Sequence, residues 1–255
     1  MSSLFVQAGR DTWMPTELAR GPWDPSALHG GPTAALLAMA VEPLLWPLQP
    51  ARLTVDLLRP VPVAPLHVAA RLTREGRNIR IAEARIDHDG TVVATAAVLA
   101  IRTKQLTVPE QPIDRPAGPE EGLEPDRSLD PYEAFHNKGV EHRFVRGDFG
   151  VPGPATDWIR LRLPLVPDEV PSPLQRVAAA ADFGNGISGL DVMAELLFIN
   201  PDLTIHLTRL PVGEWVCLDA RSRYEPDGIG IAGSNLYDEA GPIGLSVQSL
   251  LLDSR

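Results

Sequence analysis

Gln248, in Leu245-Ser246-Val247-Gln248-Ser249, lies within the strand-like stretch 243–252, which is apolar at six of its ten positions. An amide buried without partners costs roughly 1 to 3 kcal/mol. A glutamine there is therefore expected to hold something, and an amide can accept from one group while donating to another. Asp182, in Ala179-Ala180-Ala181-Asp182-Phe183, offers a carboxylate just ahead of a glycine-rich stretch that reads as a helix start. Such an aspartate is an N-cap or, if desolvated, a proton acceptor. Asn200 precedes Pro201, a common turn pair. His29-Gly30-Gly31 opens an apolar run and is read as a structural turn, while His67, His88, His136, His142 and His206 are scattered and receive no role. Cys217 is read as a small core residue. With one cysteine and no zinc-like spacing of Cys and His, neither a disulfide nor a metal site is expected.

The net charge of -10, from 33 acidic and 23 basic residues, opposes a polyanionic partner. Phosphate binding is built from clustered Lys and Arg, so no nucleic acid is expected. The arginines are read as solvated charges, and no cofactor is assigned. Met1-Ser2-Ser3-Leu4-Phe5-Val6 lacks the basic start and apolar stretch of a signal peptide. The longest apolar run, Ala34 to Val41, is far short of the ~20 residues that span a bilayer. A cytoplasmic location without membrane attachment is the expectation.

The elements that must position these residues come in two copies. Leu53-Thr54-Val55-Asp56-Leu57-Leu58-Arg59 returns 150 residues later as Leu203-Thr204-Ile205-His206-Leu207-Thr208-Arg209. A period this long means two similar halves rather than a solenoid of repeats of roughly 20 to 50 residues. In the first copy, Thr33 to Glu42 reads as a helix, with Pro32 in its first turn and Pro43 stopping it. Being apolar nearly all round, it is expected to be buried. Strands are expected at 53–58, 66–74, 78–87 and 91–102, with Asp89-Gly90 as a hairpin signal. The second copy is read as a helix over 186–197 and strands at 202–208, 215–224, 228–237 and 243–252, with a first strand over 155–163. Residues 105–173 hold 12 of the 26 prolines, which suits an extended connection. The expected division is a first half over 1–104, a linker over 105–145 and a second half over 146–255.

A helix wrapped by an antiparallel sheet, duplicated through a proline-rich linker, resembles the α+β double hotdog fold, and specifically the acyl-CoA thioesterase II family. The resemblance covers nearly all of the chain except the linker. It implies hydrolysis of acyl-CoA thioesters, with Asp182, Asn200 and Gln248 at the positions where that family carries an Asp, a Thr or similar polar residue, and a Gln. Asn200 departs from the commoner Thr, and Thr204 or Thr208 could take that role instead. The duplication adds its own argument. An offset of 156 residues between the helices sets Ser26 opposite Asp182, and the strand offset sets Pro50 opposite Asn200 and Val98 opposite Gln248. The polar set is confined to the second copy.

The implied mechanism has Asp182 as general base, its pKa raised by burial, with Asn200 and Gln248 holding the water and the carboxylate in line. Phe183, Gly184 and Gly186 would bind substrate through backbone N–H groups at the helix start. Acyl-CoA is the expected partner, and a homodimer is compatible with the fold. Two other functions stay open: a non-catalytic acyl or small-ligand binder, and an enoyl-CoA hydratase. The hydratase ranks last because it needs an Asp and His pair, and the nearest His within copy two is His206.

Overall fold

A computed structural model describes residues 2–254 other than 111, 113, 127–131 and 191–195. The first half holds the hairpin β1 (Phe5–Gly9) and β2 (Thr12–Pro15), then α1 (Gly30–Leu45), then the strands β3 (Gln49–Leu57), β4 (Leu66–Arg74), β5 (Ile79–His88) and β6 (Thr91–Ile101). The second holds β7 (Val140–Arg146) and β8 (Ala155–Leu161), the helices α2 (Pro173–Ala181) and α3 (Gly184–Ile187), then β9 (Leu196–Ile199), β10 (Asp202–Leu207), β11 (Val216–Tyr224), β12 (Ile229–Asp238) and β13 (Gly241–Ser254). Each half wraps an antiparallel sheet around its helix, which is the α+β double hotdog.

All described strand pairings are antiparallel, in the order β1-β2-β4-β5-β6-β3-β10-β13-β12-β11-β8-β7, with β9 on β13. The duplicated strands β3 and β10 meet at the centre. Thr54 pairs with Thr204, and their hydroxyls are 3.2 Å apart. Residues at the same place in the two copies are thus each other's neighbours, so a pseudo-twofold axis passes between them. The strands follow from alternation: in β5, Ala82, Ala84 and Ile86 are buried while Arg85 is exposed.

The helix α1 is buried along most of its length, with Ala35, Leu36, Leu37, Ala38 and Val41 fully enclosed. Burying one such leucine contributes about 1.5 to 3 kcal/mol. Pro43 does not stop the helix, which continues to Leu45. A proline in the last turn forfeits one backbone bond, and Arg80 reaches over to donate to the carbonyls of Leu44 and Trp46.

The second helix begins at Pro173, not at 186. Ser172 Oγ accepts from the Gln175 N–H at 3.1 Å, and Gln175 Oε1 accepts from the Ser172 N–H at 3.2 Å. This reciprocal capping box starts α2. The glycines at 184, 186 and 189 then favour breaking the helix rather than opening it. Of the expected helix over 186–197, Leu196 and Leu197 belong to β9, and residues 191–195 lie outside the described set. Counted from the two helix starts, Asp182 stands opposite Met39 rather than Ser26. Strand pairing in the second half begins at Val140, within the stretch read as linker.

Candidate active site

Asp182 ends α2, in helical backbone conformation at its C-cap. It is therefore no N-cap, and its carboxylate is turned to a cluster of side chains from four elements. Asn200, in the turn between β9 and β10, donates from Nδ2 to Asp182 Oδ1 at 2.8 Å. Gln248, in the middle of β13 and buried, donates from Nε2 to Oδ1 at 3.3 Å and to the Asp182 carbonyl at 3.2 Å. The three residues singled out in the sequence converge on one carboxylate. Thr204 and Thr208 do not join it: Thr204 bonds to Thr54, and Thr208 donates to the Ile243 carbonyl at 3.2 Å.

Asn185, which sequence reasoning passed over, ties the amides together. Its backbone N–H donates to Gln248 Oε1 at 3.0 Å and its Nδ2 donates to Asn200 Oδ1 at 3.3 Å. An asparagine between two glycines reads as a turn residue, yet this one is buried. The amides of Asn200 and Gln248 are thus oriented by Asn185 on one side and orient the carboxylate on the other.

The expected glycine roles divide. A Cβ on Gly184 would lie 2.8 Å from Gln248 Oε1 and 3.0 Å from Ser234 Oγ, so this glycine makes room for the glutamine. Gly186 is exposed, with open space where a Cβ would be. Phe183 lies tilted against His29, ring centroids 4.6 Å apart, and meets His142 edge-on at 4.9 Å. It packs the site instead of facing it with a polar group. Of the helix-start donors expected at Phe183 to Gly186, the Phe183 N–H bonds to Ala180 O and the Asn185 N–H bonds to Gln248.

The first half also enters the site. His29 Nδ1 lies 2.8 Å from Asp182 Oδ2, with the histidine side chain 10% and the aspartate 4% exposed. His29 is the N-cap of α1, so the turn reading describes its backbone but misses its side chain. Both following glycines are required there. A Cβ on Gly30 would fall 2.6 Å from each Asp182 oxygen, and one on Gly31 would strike the carbonyl of Ala179 in α2. No sequence signal within either half places a residue of α1 against the end of α2. Only the pairing of the two halves does.

Burial pushes the Asp182 carboxyl upward, but the charge and hydrogen bond of His29 and the bonds from Asn200 and Gly31 outweigh it. The group is held below the ordinary carboxylate range, not raised as the sequence led us to expect. The Gly31 N–H approaches both His29 Nδ1, at 3.1 Å, and the carboxylate. A ring nitrogen cannot accept from Gly31 while donating to an ionised carboxylate. A neutral ring carrying its proton on Nδ1 would satisfy the 2.8 Å contact to Oδ2 and turn the Gly31 N–H to the carboxylate. Hydratase chemistry had been ranked last for want of a histidine beside Asp182, and His29 removes that objection.

Among the described residues, no cluster of three or more His, Cys, Asp or Glu side chains could hold a metal. Cys217 is fully buried in β11, and burial pushes its thiol up, away from nucleophilic use. Two surface grooves, of about 520 and 380 Å³, lie over the small residues of β4 to β6 and beside His136 and His142; neither contains Asp182. The rim of the Asp182 site is instead made by the partly exposed His29, Gly30 and Asn200. No helix of the described residues is long and apolar enough to cross a membrane.

Two family descriptions match this chain. Residues 19–101 match the acyl-CoA thioesterase N-terminal domain, and residues 111–252 match the acyl-CoA thioesterase C-terminal domain. No curated protein matches. Among solved structures, a candidate thioesterase of Novosphingobium aromaticivorans has 18% identity and a TM-score of 0.76 over 100% of both chains. A conserved Alicyclobacillus acidocaldarius protein of unknown function with a hot dog fold has 18% identity and a TM-score of 0.74, over 98% of this chain and 96% of that one. An acyl-CoA thioesterase II of Mycobacterium marinum has 17% identity and a TM-score of 0.69, over 98% and 96%. At these identities the likeness is one of fold.

Proposed function

The chain belongs to the acyl-CoA thioesterase family, and from that premise we propose that it hydrolyses acyl-CoA thioesters to the free acid and CoA at the site centred on Asp182. The observation that carries this reading is the convergence of Asp182, Asn200 and Gln248 within 3.3 Å of one carboxylate oxygen, although 66 residues separate the first from the last.

Thioester hydrolysis needs a water made nucleophilic at neutral pH, and donors for the oxyanion that forms when it attacks. Asp182 supplies a fixed negative charge that favours removal of the water's proton. Asn200 and Gln248 hold that carboxylate in one orientation, and through Asn185 they hold each other. A network in which each amide is bonded at both ends rigidifies the site. The missing side chain of Gly30 leaves room for the carboxylate itself to pack against the start of α1. The partly exposed Asn200 amide at the rim is a further candidate donor for the oxyanion, beside the backbone N–H groups of Gly184 and Gly186.

The test is the release of free thiol from a panel of acyl-CoA esters from acetyl to long-chain. Turnover of at least one chain length, lost in Asp182→Ala with the fold intact, is the expected outcome. A protein that binds these esters but releases no thiol from any of them is the binder and not the hydrolase. The His29–Asp182 contact favours one second reading, addition of water across the double bond of an enoyl-CoA. Loss of the enoyl absorbance without thiol release would identify it.

A further inference from the structure

We infer that His29, contributed by the first half, is the catalytic base of the Asp182 site: its Nε2 takes the proton of the attacking water and returns it to the departing thiolate. The inference rests on the hydrolytic reading above and names the atom that the reading leaves open.

The carboxylate has no place left for that proton. Its two oxygens offer about four lone-pair sites. Oδ1 accepts from Asn200 Nδ2 and Gln248 Nε2, Oδ2 faces His29 Nδ1, and the Gly31 N–H adds a fourth donor. A water could bond to Asp182 only by displacing one of these. The hydrogen bonds from His29, Asn200 and Gly31 favour the ionised carboxylate with the ring neutral as well, and so weaken it as a base.

His29 is placed the other way. Its Nδ1–H is committed to Asp182, which leaves the lone pair of the neutral ring on Nε2. That nitrogen makes no hydrogen bond among the described residues, yet it is not a sealed buried atom. The ring is held at three points: its backbone caps α1, with the His29 N–H on the Ala19 carbonyl at 3.0 Å, and the rings of Phe183 and Phe135 lie at 4.6 and 5.2 Å. A buried carboxylate on Nδ1–H with Nε2 facing outward is the orienter-and-base arrangement of acyl-transfer enzymes. Asn200, bonded to the same carboxylate, stands beside the open rim where the water and thioester would meet.

The step balances. Nε2 removes one proton from water as the water oxygen bonds to the thioester carbon, and the imidazolium formed is neutralised by Asp182. Collapse of the tetrahedral intermediate breaks the C–S bond. The sulfur leaves with the proton from Nε2, giving the acid and the CoA thiol with His29 restored.

His29→Asn tests this without removing the cap, since asparagine is a favoured N-cap residue; His29→Ser is the second cap-competent variant should the first not fold. The expected result is a loss of roughly 10²- to 10⁴-fold in kcat, with a melting temperature near that of the parent. Nitrogen NMR of imidazole-labelled protein, at a pH where the ring is neutral, should show the His29 proton on Nδ1. A folded His29→Asn that keeps kcat within about threefold, while Asp182→Asn is inactive, would overturn His29 as base and leave the hydrolytic reading standing. A neutral ring protonated on Nε2 would overturn it as well. Absence of thiol release from parent and both variants alike would instead overturn the hydrolytic reading, and His29 as its base with it.

Discussion

Gln248 is the residue whose removal should be felt in both stability and turnover. Its amide closes a loop between the Asn185 N–H and the Asp182 carbonyl and carboxylate. Gln248→Val, the residue found at the same place in the first half, fills similar space but strands these groups. We expect a loss of roughly 1 to 3 kcal/mol in urea unfolding and a fall in kcat as Asp182 loses its orientation. Gly30→Ala acts at the same carboxylate. Its methyl group would need the space of both Asp182 oxygens, so strain of roughly 1 to 3 kcal/mol should lower kcat by more than it changes KM. At this scale the sequence revealed Gln248, because an amide in an apolar strand demands a partner. It could not reveal Asn185 or the side chain of His29, whose local contexts read as turn and cap. The partners that give them meaning lie on other elements.

At the scale of elements, the site depends on how closely α1 crosses α2. Gly31 sits against the Ala179 carbonyl, and toward the other end of α1 the half-buried Glu42 accepts from Ser172 Oγ at 2.5 Å and from Gln175 Nε2 at 2.9 Å. The capping box of α2 is thereby fastened to α1. Burial raises the Glu42 carboxyl, against the bonds from Ser172 and Gln175 that lower it. A carboxyl whose folded value lies above its unfolded one costs stability as it ionises. Relative to Glu42→Gln, the parent should therefore become less stable as pH rises from about 4.3 through the raised folded value. Urea unfolding of both proteins between pH 4 and 7 checks this, and parallel curves would refute it. Strands were legible from alternation and turn residues. The glycines near 186 resemble the Gly30-Gly31 start of α1 and so draw the expected second helix too far along the chain, whereas the start of α2 is marked by the capping pair Ser172 and Gln175.

For the whole molecule, the duplication is what makes the site. The copies meet through β3 and β10, and the junction brings His29 of one to Asp182 of the other. The halves are alike in their strands and unlike in chemistry: Met39 and Val98 hold the places of Asp182 and Gln248, so neither half contains the whole constellation. This much of the asymmetry was legible by comparing the copies, whereas the contribution of the first half was not. Asp182 and Asp238 are two of the carboxylates held low in the second half. Asp238 is fully buried, yet its bonds from Arg209 and from the Val212 and Ala240 N–H groups outweigh that burial. Because their folded values lie below the unfolded ones, the stability they provide is present above about pH 3.9 and is lost as pH falls below it. Asp182→Asn should flatten this acid dependence of unfolding, and an unchanged slope would contradict the assignment.

The most direct test of the central claim is to measure kcat for thiol release from the best acyl-CoA ester with the parent protein and with Asp182→Asn, checking both by thermal unfolding. Asparagine keeps the shape and the acceptor toward Asn200 but removes the charge. The account predicts a folded variant slower by roughly 10²- to 10⁴-fold. A folded Asp182→Asn protein that releases CoA at the parent's rate would contradict it.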